Sequence, residues 1–271
     1  MNSDKISVTI ITKNSKATLK QCILSVKDFD EIIILDNGSI DGTLELAKEM
    51  QKELNLKIKT SEFIGFGKLK NLAASYTRND WIFSLDSDEI LEKTALDSIE
   101  NTKLENNMIL SLGRKNLYNG EWIKACGWHP DYVNRIYNKK FTKFKENMVH
   151  ESLLIPSNAN IFKIDLAINH YTASNIDSII NKMNSYTTLN AKQKKEKGGK
   201  ASLAGAFIRF FLIFIKDYFF RNGFKYGYKG FVIALLNASG GFFKYMKLYE
   251  LIKNENDKNL KNTPIESRKK I

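Results

Sequence analysis

Two periods of apolar residues alternate along the first hundred positions. ISVTIIT (6–12) and EIIILD (31–36) are short β-branched runs, the pattern of strands buried on both faces of a parallel sheet. Between them, ATLKQCILSV (17–26) carries apolar residues at helical spacing. After Asp36 the turn formers NGSIDGT lead into the helical TLELAKEMQKEL. LKIKTSE (56–62) predicts a third strand, LKNLAASY (69–76) a helix, and WIFSLD (81–86) a fourth strand. Such alternation predicts right-handed βαβ units and an open, mostly parallel α/β sheet resembling a Rossmann fold.

From about residue 93 a helix is expected, and then the pattern loosens. MILSL (108–112), VNRIY (133–137) and FKIDLAI (162–168) read as strands between long loops, a mixed extension of the same sheet. Helices are expected from Ile176. The chain thus divides into an α/β domain over 1–175, a helical region over 176–252, and a polar, flexible tail over 253–271.

Composition narrows the setting. The 271 residues suit one large domain or one domain plus an appendage. Cys22 and Cys126 make no disulfide framework, which points to a reducing cytosol. The start, MNSDKIS, has no apolar core of a secretory signal. With Lys and Arg exceeding acids by 42 to 30, an anionic partner is expected: nucleic acid, a membrane surface or a phosphorylated substrate. Zinc-ligand spacing, an RNA-recognition motif and a helix-turn-helix pattern are all missing from the sequence, so nucleic acid is disfavoured.

Against this basic background stand the acids of IFSLDSDEIL (82–91). Three carboxylates that close together repel one another, and burying them is costly. In open α/β sheets, ligands bind outside the carboxyl ends of the strands. Asp36 closes the second predicted strand, and Asp86 and Asp88 follow the fourth. Acids converging there form a hard-oxygen site suited to Mg²⁺ or Mn²⁺ sharing a diphosphate. The alternative is that Asp86, Ser87 and Asp88 cap the next helix.

Taken in order, ISVTIITKN, IIILDNGSIDGT, GFGKLKN and LDSDE resemble the successive motifs of inverting family 2 glycosyltransferases with a GT-A fold. The stretch NMVHESL (147–153) and the C-terminal helices resemble the lipopolysaccharide core β-glucosyltransferase branch. The resemblance covers about residues 5–250. It implies a nucleotide-sugar half over about 1–92 and an acceptor half over about 93–175. It also implies a UDP-sugar donor, glucose by default, and a glycan or glycolipid acceptor of the bacterial surface. By motif, Thr12 and Asn14 line the nucleotide pocket and Asp36 bonds the base or ribose. Ser39 and Asp41 shape the turn. Lys70, preferred over Lys68, neutralises the diphosphate or meets the base, with Asn71 beside it. Asp86 approaches the ribose and the metal shell, Asp88 binds the metal, and Glu89 orients its neighbours.

An inverting transfer needs a base for the acceptor hydroxyl. The resemblance assigns that role to Glu151; if the stretch is extended, His150 faces the other way. His170 ends an apolar run, either as a third metal ligand or as a hydrogen-bonded strand end. Trp128, His129 and Asp131 are candidates for a sugar pocket. Arg135 pairs either with the diphosphate or with Glu151.

AGAFIRFFLIFIKDYFFR (204–221) is apolar and aromatic but interrupted by Arg209, Lys216 and Asp217. A membrane-spanning helix wants about 20 apolar residues without central charges. An interfacial helix fits better, placing the protein in the cytoplasm and peripherally on the anionic inner face of the membrane. The alternative is that these helices pack on one another or form an oligomer core.

Overall fold

The computed structural model describes residues 2–146 and 151–262, with the side chains of Asp4 and of 256–262 left out. The chain forms two compact units. One comprises Met1–Lys124 and Trp128–Ser174; the other comprises Ala125–Gly127 and Asn175–Ile271.

The first unit is built on a nine-stranded sheet. Its parallel half holds β1 (Ile6–Thr12), β2 (Glu31–Asp36), β3 (Leu56–Thr60) and β4 (Trp81–Asp86) in the order β3-β2-β1-β4. Helices α1 (Lys16–Ser25), α2 (Thr43–Met50) and α3 (Phe66–Ser75) connect them. All six residues of β2 are buried, and so are six of the seven of β1, as a sheet covered on both faces requires. Register sets the strand ends level: Thr12 pairs with Asp36, and Ile11 with Asp86.

The mixed half adds β5 (Glu89–Leu91), α4 (Lys93–Glu100), β6 (Met108–Tyr118), β7 (Glu121–Trp122), β8 (Tyr132–Asn138) and β9 (Asn160–Ala173). Strand β8 runs antiparallel to both β4 and β6, β9 runs parallel to β6, and β5 runs antiparallel to β9. The short β5 removes the capping alternative for the acidic motif. Asp86 ends β4, Ser87 and Asp88 turn, and Glu89 enters β5 opposite His170. The helix after it has Glu92 at its N-cap and no side-chain cap.

The second unit holds α5 (Ile176–Glu196), α6 (Leu203–Ile215), a π-helical turn over Lys216–Phe220, and α7 (Gly227–Asn262). Helix α5 starts on a capping box in which Asn175 and Ser178 exchange side-chain and backbone hydrogen bonds. Helix α7 continues ten residues into the stretch expected to be a tail. Neither Gly nor Pro interrupts the sequence between Gly241 and Pro264. Both cysteines are free and buried. No helix among the described residues is long and apolar enough to cross a membrane.

Candidate active site

The carboxyl ends of β1 and β2 hold three buried polar atoms that, among the described residues, make no hydrogen bond: Thr12 Oγ1, Asp36 Oδ1 and Asn37 Oδ1. Such atoms are costly unless a polar ligand meets them. The other Asp36 oxygen, Oδ2, accepts from the Gly38 and Ser39 amides at 3.0 and 3.1 Å, which fixes the carboxylate and its unengaged oxygen. Gly38 has φ +87°, so the turn needs glycine there. Asn14 braces the same turn. Its amide donates to Ser39 Oγ (2.9 Å), and its Oδ1 accepts from the Ile40 amide (2.9 Å). Asp41 accepts from the amides of Thr43 (3.0 Å) and Lys16 (3.2 Å), tying the turn to α1.

At the end of β4 the acids meet buried cations. Lys70 is 2% exposed, and its Nζ lies 3.0 Å from both Asp86 Oδ1 and Glu151 Oε1. The helical phase of α3 selects Lys70 over Lys68, which is exposed. Arg135, on β8, pairs with Asp86 Oδ2 and Glu89 Oε1. Of the alternatives named for Arg135 from the sequence, the pairing with Glu151 is not made among the described residues, where its guanidinium meets acids on β4 and β5. Burial disfavours the charged form of Asp86, but Arg135 and Lys70 outweigh it and hold its carboxyl well below the usual carboxylate range. Glu89 is fully buried and acts as a hub. Its Oε1 also pairs with Arg114 (3.1 Å), and its Oε2 accepts from the Asp86 amide (3.0 Å).

Glu151 is placed by a short ladder. The Lys145 amide donates to the Ser152 carbonyl (2.8 Å), and the Leu154 amide to the Lys143 carbonyl (2.9 Å), around a bridge between Phe144 and Leu153. Asn71 anchors it: Nδ2 donates to the Phe144 carbonyl (3.0 Å), and Oδ1 accepts from the Phe144 amide (2.9 Å). Asn71 thus serves the segment that carries Glu151, each end of its amide meeting the Phe144 backbone. His150 lies outside the described residues.

Asp88 and His170 form a second focus, with Oδ2 and Nε2 3.4 Å apart. Asn116 fixes the imidazole. Its Nδ2 donates to the Trp128 carbonyl and to Asp131, each at 2.8 Å, so Oδ1 faces His170 Nδ1 at 2.6 Å. In the neutral ring Nδ1 then carries the proton, and the Nε2 lone pair points at a carboxylate. Two lone pairs face each other comfortably only around a proton or a cation, so the pair suits either an imidazolium–carboxylate ion pair or a divalent ion backed by Asn116. Among the described residues no group of three His, Cys, Asp or Glu side chains is arranged to hold a metal. Asp86, expected to approach the metal shell, has its oxygens on Lys70 and Arg135. Asp131 pairs with Arg114 at 2.7 Å. His129 stands edge-on to Trp122, with ring centroids 5.4 Å apart.

Sequence reasoning missed Arg114 and Asn116. Their one signal is the polar run RKN inside the otherwise buried β6. A strand that keeps polar residues at its buried positions is pointing them at partners.

A sheet of order 3-2-1-4 with a mixed extension, and polar side chains gathered at its carboxyl edge, makes an open α/β fold of the kind that binds ligands outside its strand ends. The chain belongs to glycosyl transferase family 2, whose model matches residues 7–159. An uncharacterized glycosyltransferase of Rickettsia prowazekii is 30% identical over 265 residues, spanning 93% of this chain and 89% of the relative. The lipopolysaccharide core biosynthesis glycosyltransferase LpsC of Rhizobium meliloti is 26% identical over 255 residues, 90% of this chain and 92% of that protein. Among solved structures, S. aureus TarS 1–349 in complex with UDP-GlcNAc superposes with a TM-score of 0.45 at 16% identity, over 93% of this chain and 92% of that one. The mannosyltransferase PcManGT of Pyrobaculum calidifontis, in complex with GDP-Man and Mn²⁺, gives 0.48 at 10% identity over 93% and 75%.

Proposed function

We propose that this glycosyltransferase moves a hexose, glucose by default, from a UDP-sugar to a glycan or glycolipid acceptor of the bacterial surface. Transfer proceeds with inversion, with a divalent cation, at the inner face of the cytoplasmic membrane. The observation that carries the reading is the level row of Thr12, Asp36 and Asn37, whose three buried polar atoms lack partners among the described residues, together with the Lys70–Asp86–Glu151 triad. A nucleoside offers the donors and acceptors that such a row needs. The likeness to a lipopolysaccharide core transferase supports the acceptor class.

In this mechanism Asp36, Thr12 and Asn37 hold the nucleoside. Glu151 takes the acceptor hydroxyl proton while that oxygen attacks the anomeric carbon from the face opposite the diphosphate. The Lys70 ammonium, 3.0 Å from both carboxylates, sets the base at a fixed distance from the donor-side Asp86. Glu89 and Arg135 hold the Asp86 turn. Asp88 and His170 would hold the cation, which when bound shares the negative charge of the leaving diphosphate.

The test is transfer from UDP-glucose, UDP-galactose and UDP-N-acetylglucosamine to lipopolysaccharide core acceptors, with and without EDTA. A β-linked product from the α-linked donor, lost in EDTA and restored by Mn²⁺, is expected. An α-linked product would overturn inversion. Undiminished transfer in EDTA would overturn the metal. A folded protein that uses no UDP-sugar under either condition would overturn the donor.

A further inference from the structure

The second unit carries two unusual surfaces side by side. Helix α6 exposes Leu203, Phe207, Ile208, Phe211, Leu212 and Ile215, each between 43% and 62% accessible. At 100° per residue these fall within one half of the helix, 0° to 180° from Leu203. Arg209 and Lys216, both exposed, fall at 240° and 220°, along one edge of that stripe. The opposite side, around Ala206, is buried.

Along the same edge the three helices bring cations onto one phenol. The Arg209 guanidinium lies 4.2 Å from the Tyr245 ring centroid, Lys194 Nζ 5.3 Å and Lys244 Nζ 5.2 Å. Among the described residues, none of the three forms an ion pair with a carboxylate, whereas the neighbouring Lys195 pairs with Glu255 at 2.8 Å. Arg209 is folded back on the start of α6 by a 2.9 Å bond to the Gly205 carbonyl, beside the Ser202 cap. Burial works against an ionised Tyr245. The Lys194 hydrogen bond and the charges of Arg209, Lys194 and Lys244 outweigh it, bringing the phenol below its ordinary value. Three like charges gathered without counter-charge repel one another and are relieved by an anion.

We propose that Arg209, Lys194 and Lys244 around Tyr245 form a phosphate-binding site for an anionic lipid headgroup, with the adjacent α6 stripe entering the acyl boundary. The occupant is the membrane surface, because the apolar stripe and a cationic edge match an acyl layer and its anionic rim. This deepens the membrane placement proposed above and rests on it.

Cosedimentation of the full chain with phosphatidylcholine vesicles, with and without 30% phosphatidylglycerol, tests both. The wild type is expected to prefer the anionic vesicles. Arg209→Gln/Lys194→Gln/Lys244→Gln should lose roughly 100-fold in affinity for them, about fivefold per basic side chain at a membrane surface. Lys20→Gln/Lys48→Gln/Lys52→Gln, the same charge removed from exposed lysines of the first unit, should lose far less. Equal losses in the two triple variants would overturn the site and leave general charge attraction. Phe211→Ser/Leu212→Ser should weaken binding to both vesicle types. If it instead converts a dimer to a monomer and leaves vesicle binding unchanged, the stripe belongs to a second copy and the membrane reading fails. Absence of wild-type binding to either vesicle fails that reading as well. Displacement of the wild type from anionic vesicles by millimolar inorganic phosphate, at matched ionic strength, would overturn a lipid source in favour of free phosphate.

Discussion

Strand β2 begins and ends with a buried acid, and the two are treated in opposite ways. At its amino end Glu31 is fully buried with both oxygens engaged. Oε1 accepts from Ser7 Oγ (2.7 Å) and the Arg78 amide (2.5 Å), and Oε2 pairs with Lys57 at 3.0 Å. At its carboxyl end Asp36 is 3% exposed, with one oxygen on two backbone amides and the other, among the described residues, without a partner. Same strand, same burial and same charge type teach that burial of an acid does not mark a site. The incomplete hydrogen bonding does. At the amino edge the acid's hydrogen bonds are complete, and at the carboxyl edge, among the described residues, they are not.

The largest expected effect separates catalysis from binding within the carboxyl edge. Glu151→Gln should lower the transfer rate by about 10²–10⁴-fold, the usual contribution of a general base. UDP affinity should stay within a few-fold, because Lys70 retains Asp86 as a partner. Single-turnover kinetics beside UDP titration reads both. A variant that transfers at the wild-type rate would remove Glu151 from the base role. Next, the two ends of β2 are exchanged as targets. Asp36→Asn should weaken UDP binding by about 10–100-fold, as expected for a lost hydrogen bond to a charged group, with a small change in melting temperature. Glu31→Gln should cost roughly 2 kcal/mol of stability and leave UDP affinity unchanged. If both variants lose affinity, or both lose stability, the two ends are not divided in this way.

Parts of this division are legible in the amino-acid sequence itself. Strands 6–12, 31–36 and 81–86 coincide with β1, β2 and β4, because short apolar runs bounded by polar residues leave little freedom in phase. Asp36 and Asp86 at strand ends follow from the same pattern. The three-residue β5 is hidden, since three residues carry no period, and with it the register that sets Glu89 opposite His170. Partner choice is hidden too. Nothing local says that Arg135 meets Asp86 and Glu89, 49 and 46 residues away, or that Asn71 closes on Phe144. Motif position favours Lys70 over Lys68, and the face that α3 turns inward buries Lys70 while Lys68 stays exposed.

Acid titration sharpens the amino end further. Burial opposes the charge of Glu31, but Ser7, the Arg78 amide and Lys57 outweigh it and lower its carboxyl below the ordinary value of about 4.3. The Arg78 hydrogen bond does the same for Asp30, whose ordinary value is about 3.9. A carboxyl lowered by folding stabilises the protein fully above its unfolded pKa, and the contribution is lost as pH falls through the folded one. Denaturant midpoints should therefore hold steady from about pH 7 to about 5 and fall below about pH 4. The fall should be shallower in Glu31→Gln, which has no such proton to bind. Parallel acid limbs in the two proteins would show that Glu31 does not contribute.

The smallest effect is the sharpest in sign. Thr12 Oγ1 is buried at the level of Asp36 and has no partner among the described residues. Thr12→Val keeps the β-branched shape, which suits a central strand, and exchanges the hydroxyl for a methyl. In the unliganded protein this removes an unsatisfied polar group, so stability should rise, by about 1 kcal/mol. With donor bound the same change deletes a hydrogen bond, so UDP affinity should fall by about three- to tenfold. A hydroxyl with a structural role would behave like Glu31: its loss would lower the melting temperature and leave affinity alone. Measured together, the melting temperature without ligand and the UDP dissociation constant should move in opposite senses, toward a more stable protein that binds its donor less well. A loss of stability without a loss of affinity would transfer Thr12 from the binding edge of the sheet to its scaffold.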